Sequence, residues 1–291
     1  MTFSQLNSFD KISPTALLMT YARQFSDTPY AAELAQIVDA QTVFDQYASD
    51  GFQKLLHLSP IVEARYKAVN HVLAKFESTQ IMELASGLLP RGMVMSQDPK
   101  VTYVESDLPT MIDLKKQIVT QLIGERSNLH FEAIDATNLL NNLPLHTNYL
   151  RSSEKVIVLC EGLLQYLTFS EKEQVFTNVR EMLQHYGGVW ITTDIVTKER
   201  QLQMQGHDLA MQNFYQTIAN TTGRSILNNT FNNMEHAKEF ILKQGFCIEE
   251  YSTLEVIEEL TSLQRLGVTP ESIKPLLATM PVFVLTLNAC T

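Results

Sequence analysis

The feature that most constrains this chain is an alternation that begins after Phe76. Seven short segments carry strand character: Gln80–Leu84, Val101–Glu105, Leu129–Ile134, Val156–Cys160, Gly188–Asp194, Phe246–Tyr251 and Val282–Asn288. Among them run stretches with apolar residues at helical spacing: Thr110–Ile123, Ser170–Tyr186, Met234–Gln244 and Leu254–Leu266. Several strand segments are nearly continuous apolar runs, most clearly Val156-Ile157-Val158-Leu159-Cys160. A strand that is apolar on both faces must be covered on both. Strands alternating with helices therefore predict an α/β fold with a mostly parallel sheet.

The first 76 residues read as helical. From Ala31 to Tyr47, a helical repeat collects Leu34, Ile37, Val38, Val43, Phe44 and Tyr47. Pro60 suits the first turn of a further helix, where its missing N–H is harmless. The apolar stripe of that helix is Ile61, Ala68, Val72 and Phe76. Arg65 falls on the stripe, and a charge on a buried face needs a partner or a ligand. Lys198 to Asn233 forms a long, polar, helix-like insertion between the fifth and sixth strands. Insertions of that size are more often lids than bare connections. The chain thus reads as one domain over residues 1–291. Its parts are a helical cap (1–76), a core (77–197), a helical lid insertion (198–233) and the C-terminal part of the sheet (234–291).

Composition removes several function classes. The chain has 22 Lys+Arg against 32 Asp+Glu, a net charge of −10. A nucleic-acid partner calls for a basic face, and an acidic membrane surface calls for a polybasic segment. The sequence offers neither. The N-terminal stretch MTFSQLNSFDK has no basic start followed by an apolar run, and no segment approaches the roughly 18 apolar residues of a span. Cys160, Cys247 and Cys290 lie far apart and form no CxxC, so neither a disulfide framework nor a metal site is expected. Cys160 and Cys247 sit in apolar runs and read as buried, reduced thiols. The setting reads as cytoplasmic. Only 11 residues are glycine, and the dinucleotide pattern GxGxxG is absent.

In an open α/β sheet, ligands bind beyond the carboxyl ends of the strands. The first strand runs through Glu83 and Leu84 into Ala85-Ser86-Gly87. Ala85 and Gly87 are small enough for a ligand to approach the backbone, or they simply form a tight loop. The second strand ends Glu105-Ser106-Asp107-Leu108-Pro109. A carboxylate there can accept ribose hydroxyls or cap the following helix. Asp135, after the third strand, can accept the exocyclic amine of an adenine or close its own turn. Glu161 comes directly after five apolar residues, where an unpaired charge is costly. Gly162 then permits a sharp turn.

Together these residues carry a resemblance. ELASG, YVESDLP, the Asp135 turn and CEGLLQYL occur in the order and spacing of the leucine carboxyl methyltransferase family. Ser26-Asp27-Thr28-Pro29-Tyr30 and Pro60-Ile61-Val62-Glu63-Ala64-Arg65-Tyr66 are similar to it as well, so the likeness runs from about Thr15 to the last strand. That family includes protein phosphatase carboxyl methyltransferases and bacterial O-methyltransferases linked to polyketide pathways. The resemblance implies a class I SAM-dependent methyltransferase with a Rossmann-like, seven-stranded sheet. The cofactor it implies is S-adenosyl-L-methionine (SAM), and the product S-adenosyl-L-homocysteine.

Carried over motif by motif, the resemblance gives Arg65 the methionine carboxylate. Ala85 and Gly87 line the methionine and ribose portion, and Glu83 supports the loop. Asp107, with Glu105 nearby, takes the ribose. Asp135 and Ala136 contact adenine, and Glu161 and Gly162 sit beside the methionyl end. Tyr166 is a candidate for orienting the substrate, and His207, in the insertion, a candidate acid/base group. Two departures stand out: Ala85 occupies a position where glycine is often found, and Pro90-Arg91-Gly92 replaces an Asp-Thr-Arg-type continuation.

The function expected is methyl transfer to a carboxylate or hydroxyl, on a small molecule in preference to a protein C-terminus. One alternative is a SAM-binding module without catalysis. Another is a nicotinamide-dependent oxidoreductase, against which stand the missing GxGxxG and the lack of any Tyr followed four residues later by Lys.

Overall fold

A computed structural model describes residues 14–47, 58–138, 149–205 and 226–288. Seven strands form one mixed sheet: β1 (Gln80–Leu84), β2 (Thr102–Asp107), β3 (Leu129–Ala133), β4 (Val156–Cys160), β5 (Gly188–Thr192), β6 (Phe246–Tyr251) and β7 (Val282–Leu287). Their spatial order is β3-β2-β1-β4-β5-β7-β6. The first five run parallel, and β7 is antiparallel to both β5 and β6. In register, Met82 of β1 lies beside Val158 of β4, and Leu84 beside Cys160. The strand order reverses between β1 and β4, which makes their carboxyl ends the topological switch point of the sheet. The spans of β1, β4 and β6 coincide with the segments expected from sequence.

Helices cover both faces. On one face α1 (Pro14–Arg23), α4 (Leu58–Leu73) and α6 (Pro109–Ile123) bury Leu17, Val69 and Ile118 against Ile81, Tyr103, Ile157 and Ile191. On the other, α7 (Phe169–Tyr186) and α9 (Met234–Lys243) pack Phe176 and Ile241 against Met82, Val158, Trp190 and Phe246. This two-sided cover explains the apolar run of β4, whose five residues are all buried.

The structure corrects three expectations. The helical repeat from Ala31 to Tyr47 is two helices, α2 (Ala31–Ile37) and α3 (Ala40–Tyr47). They part at Asp39, whose φ of 48° lies in the left-handed region and cannot continue a helix. The segment Leu254–Leu266 divides into a 3₁₀ stretch (Thr253–Glu259) and α10 (Thr261–Leu266). The break is set from outside: the buried carboxylate of Glu63 in α4 accepts the N–H groups of Thr261 and Ser262, each at 2.9 Å. It thereby caps α10 across the fold. A further helix, α11 (Pro270–Leu277), follows it. Cys247 is exposed, because β6 is an edge strand, and its thiol donates to Asn288 Oδ1. Cys160 is buried, and Cys290 lies outside the described residues.

A short helix α5 (Arg91–Met95) follows the β1 turn. The insertion is described only at its two ends, at α8 (Lys198–Gln205) and from Ile226 onward. His207 lies outside the described residues. Among the described residues no helix is long and apolar enough to cross a membrane, and no group of three His, Cys, Asp or Glu is arranged to hold a metal ion.

Candidate active site

A cavity of about 380 Å³ sits at the carboxyl ends of β1, β2 and β4. Its floor is Ala85, Ser86 and Gly87 from β1, Asp107 and Leu108 from β2, and Glu161 and Gly162 from β4. Its walls come from α1, α4, the 3₁₀ turn that carries Tyr166, and the two described ends of the insertion.

The β1 turn is a left-handed one. Ala85 has a φ of 51° and Gly87 of 47°. Ser86 N–H donates to Ser106 O at 2.9 Å, and Gly87 N–H to Asp107 Oδ2 at 2.8 Å. The other oxygen of Asp107 accepts Leu108 N–H at 2.8 Å. Asp107 thus holds the turn against the end of β2. Burial raises its carboxyl above the usual range, and the two N–H bonds oppose that rise. A Cβ added at Gly87 or at Gly162 would meet nothing within 4 Å. Both backbones therefore face open space.

A buried charge network lies beneath the β1 and β4 ends. Arg91, fully buried, donates through Nη1 to Glu83 Oε1 at 3.0 Å and to Glu161 Oε1 at 2.6 Å. Its Nε donates to Asn70 Oδ1 at 2.8 Å, and its guanidinium lies 5.0 Å from the centre of the Tyr66 ring. Tyr103 Oη donates to the second oxygen of Glu83 at 2.8 Å. Arg65 Nε approaches the second oxygen of Glu161 at 3.3 Å. Burial pulls the Arg91 guanidinium down, but the two carboxylates outweigh it and keep it charged. Burial likewise pushes the Glu83 carboxyl up, and Arg91 opposes it.

The turn after β4 is held from β5. Asp194, buried, accepts the N–H groups of Gly162 (2.7 Å), Leu163 (2.6 Å) and Leu164 (2.9 Å). Three consecutive donors converge on one carboxylate, so the backbone around Gly162 has a fixed direction.

The cavity brings together Arg65, Ala85, Gly87, Asp107, Glu161, Gly162 and Tyr166 of the residues singled out from sequence. Glu83 lies below the floor, behind Arg91 and Tyr103. Glu105 does not reach the cavity with Asp107. It sits deeper on β2, beneath α6, paired with Lys115 Nζ at 2.7 Å. It also packs so closely on α5 that a Cβ at Gly92 would fall 2.1 Å from its Oε1. Burial pushes its carboxyl up to about 7. Asp135 closes its own turn, accepting Thr137 N–H at 2.9 Å and Thr137 Oγ1–H at 2.7 Å. Ala136 is buried, with its carbonyl accepting from Asn178. Neither Asp135 nor Ala136 lines the cavity.

Sequence reasoning missed Arg91, Asp194 and Arg23. Arg91 had a signal, as a cation just past the β1 turn after Leu88-Leu89-Pro90. Arg23 and Asp194 had none beyond their charge.

Comparison with known proteins places the fold. The fold resembles a DUF574-family protein from Streptomyces avermitilis, at a TM-score of 0.56 and 12% identity, over 94% of this chain and 97% of that one. It also resembles the magnesium protoporphyrin IX methyltransferase of Synechocystis (TM-score 0.45, 12% identity, 86% and 99% covered). A third is an O-methyltransferase family protein from Burkholderia thailandensis (TM-score 0.48, 11% identity, 95% and 72% covered). No curated protein sequence matches the chain. The family model of leucine carboxyl methyltransferases matches residues 12–180, more than half of the chain. The chain therefore belongs to the leucine carboxyl methyltransferase family and is a methyltransferase that uses S-adenosyl-L-methionine as its cofactor.

Proposed function

We propose that this enzyme transfers the SAM methyl group to an oxygen atom of a small molecule, and that the cavity at the β1/β4 switch point holds both. The observation that carries this reading is a convergence on one cavity. A small-residue turn at β1, a carboxylate at the end of β2 and an Arg65–Glu161 pair at the end of β4 all meet there. The residues fit the cofactor. The turn at Ala85 and Gly87 and the backbone at Gly162 leave room for close approach, and Arg65 supplies a cation for the methionine carboxylate.

When bound, SAM supplies a methyl group activated by its sulfonium. Arg65 takes the methionine carboxylate, and it can turn from Glu161 because Arg91 already pairs that residue. Glu161 and Gly162 sit beside the methionyl end, fixed by Arg91 and Asp194. Asp107, held by two N–H groups, keeps lone pairs for the ribose hydroxyls. Asp135 and Ala136 do not line the cavity and are assigned no part in holding SAM. Glu83 acts from below by holding Arg91. Glu105 acts through Lys115, whose Nζ also reaches Ser86 O at 3.3 Å. Burial raises the Tyr166 phenol, so it stays protonated at neutral pH and can donate a hydrogen bond that orients the acceptor. The N-terminal helices and the two described ends of the insertion wall the cavity, and the sheet and these walls are read as one domain. An acceptor oxygen that is already ionised needs no general base. Alignment of the reacting atoms then supplies the rate, and such positioning is worth on the order of 7–11 kcal/mol in favourable cases.

Calorimetry with SAM, followed by radiolabelled methyl transfer over small carboxylates and phenols, tests the reading. SAM binding with turnover supports it, and binding without turnover on any substrate returns the chain to a binding module. The Arg65→Ala variant is expected to bind SAM more weakly by on the order of tenfold to a hundredfold, the worth of a charge-assisted bond. Its thermal unfolding should stay close to that of the parent. An unchanged SAM affinity removes Arg65 from the site.

A further inference from the structure

Two buried carboxylates stand side by side beneath the β1 turn. Glu83 of β1 and Glu105 of β2 are partners in register, and neither is more than 1% exposed. They are served separately. Arg91 and Tyr103 donate to Glu83. Among the described residues one cation pairs with Glu105, the buried Lys115 of α6. Its Nζ also donates to Ser86 O at 3.3 Å. Ser86 is the middle residue of the left-handed turn, between Ala85 and Gly87. Its carbonyl accepts Leu89 N–H at 3.1 Å from within the loop, and Lys115 ties that same carbonyl to a helix on the sheet.

This lysine holds the turn only if the carboxylate holds the lysine. Its ammonium bridges Glu105 and Ser86 O, and a neutral Glu105 offers it no opposite charge. The surroundings set that charge. Lys115 faces Glu105 from α6, Glu83 from β1, and Tyr103 from its own strand. β3 places the apolar Phe131 beside it. α5 brings the Gly92 backbone against Oε1, while Arg91 of the same helix turns to Glu83 and Glu161. Burial raises the carboxyl, Lys115 opposes the rise and Glu83 adds to it, so Glu105 titrates at about 7.

We propose that Lys115 is a positioning residue for the cofactor, fixing the β1 turn through Ser86 O, and that it does so only while Glu105 is ionised. The inference rests on SAM lying against that turn. Cofactor affinity then rises with pH across the neutral range. By reciprocity, cofactor binding expels a proton from Glu105 to the solvent.

Calorimetry on the full chain with S-adenosyl-L-homocysteine, in buffers of different ionisation enthalpy, reads both effects. A tenfold preference for the ionised pair gives about a sixfold fall in affinity from pH 7.5 to pH 5.5, and release of about half a proton at pH 6.5. Glu105→Gln is expected to bind with the weak, low-pH affinity throughout and to lose that release. Lys115→Met should do the same, since an unpaired Glu105 stays protonated. Stability moves the other way. The folded carboxyl lies above its ordinary 4.5, so relative to Glu105→Gln the parent loses stability as pH rises to about 7. A general loosening of the fold in acid cannot raise affinity while stability falls. The proposal is overturned if the parent releases no proton, if Glu105→Gln releases as much as the parent, or if Lys115→Met keeps the parent's affinity. Should both variants fail to fold, Asp107→Asn decides: release that persists there supports Glu105 as its source, and release that vanishes assigns it to Asp107. Failure of the parent to bind S-adenosyl-L-homocysteine at any pH overturns the underlying reading, and this inference with it.

Discussion

The two ends of the sheet's carboxyl edge hold their polar groups by different means. At the β2/β3 end most partners are near in sequence: Asp107 accepts from its neighbour Leu108 as well as from Gly87, 20 residues back, and Asp135, outside the cavity, accepts from Thr137 two residues on. At the β1/β4 end they are distant. Arg91 and Glu161 are 70 residues apart, and Asp194 and Gly162 are 32 apart. The first end is built from turns that form with little help from the rest of the chain. The second exists only when the sheet is assembled, and each buried charge there depends on the others. Damage at the second end should therefore cost folding first and binding second. Damage at the first should cost binding with little change in stability.

The strongest test removes the centre of the distant network. Arg91→Met keeps the volume but strands the carboxylates of Glu83 and Glu161. Breaking a buried pair from one side typically costs about 3–5 kcal/mol. Urea denaturation should show a loss of that size, and Arg91→Lys should recover little, because one ammonium cannot also reach Asn70 and keep the guanidinium's place on Tyr66. A loss under about 1 kcal/mol, the range of an exposed pair, would break the comparison.

Asp194 comes next. Asp194→Ala leaves three N–H groups of the Gly162–Leu164 turn without their acceptor. A bond to a charged group is worth about 1.5–3 kcal/mol, and water can reach part of this turn, so the expected loss is about 3 kcal/mol. SAM affinity should fall as well, although Asp194 does not line the cavity, because the turn it holds carries Gly162. Calorimetry finding unchanged affinity would make Asp194 a purely structural residue.

Asp107→Asn is the matching change at the local end. The amide keeps one acceptor and turns an NH₂ toward the other N–H group, at a cost of about 1 kcal/mol. SAM affinity should nonetheless fall about tenfold, since the ribose loses a charged acceptor. Here binding suffers more than stability, the reverse of Arg91. Equal losses at both ends would mean that the division into local and assembled ends is not real.

The same division explains what the sequence could disclose. β4 was legible because burial on both faces writes an apolar run into Val156–Cys160, and Glu161 stood out against that run. Asp107 was legible as a carboxylate that ends a strand and lines the cavity, whereas Asp135 closes its own turn outside it. Arg23, Arg91 and Asp194 carried no comparable mark, since what makes them matter is a partner or a wall far along the chain. Glu105 was misplaced for the same reason: its pairing with Lys115, ten residues on, is a consequence of how α6 packs on β2. The break between α2 and α3 was hidden because the apolar repeat continues through Val38 while the backbone reverses at Asp39. Cys247 read as core because sequence alone does not say which strand is the edge.

The smallest expected effect lies at the β1 turn and has the opposite sign. Ala85 holds a φ of 51°, in the left-handed region, at the very turn that faces the cavity. For a residue with a Cβ that conformation costs roughly 1–2 kcal/mol. Glycine adopts it freely but loses about 0.5–1 kcal/mol through the greater freedom of its unfolded chain. Relief outweighs that loss, so Ala85→Gly should stabilise the protein by about 0.5–1 kcal/mol. For a chain of this size the unfolding midpoint should rise by about 2 °C. SAM affinity should stay the same or improve slightly, since the turn is already set by Gly87 and Asp107 and only loses a methyl group. A lowered midpoint would mean that the Ala85 methyl makes packing contacts worth more than the strain it imposes.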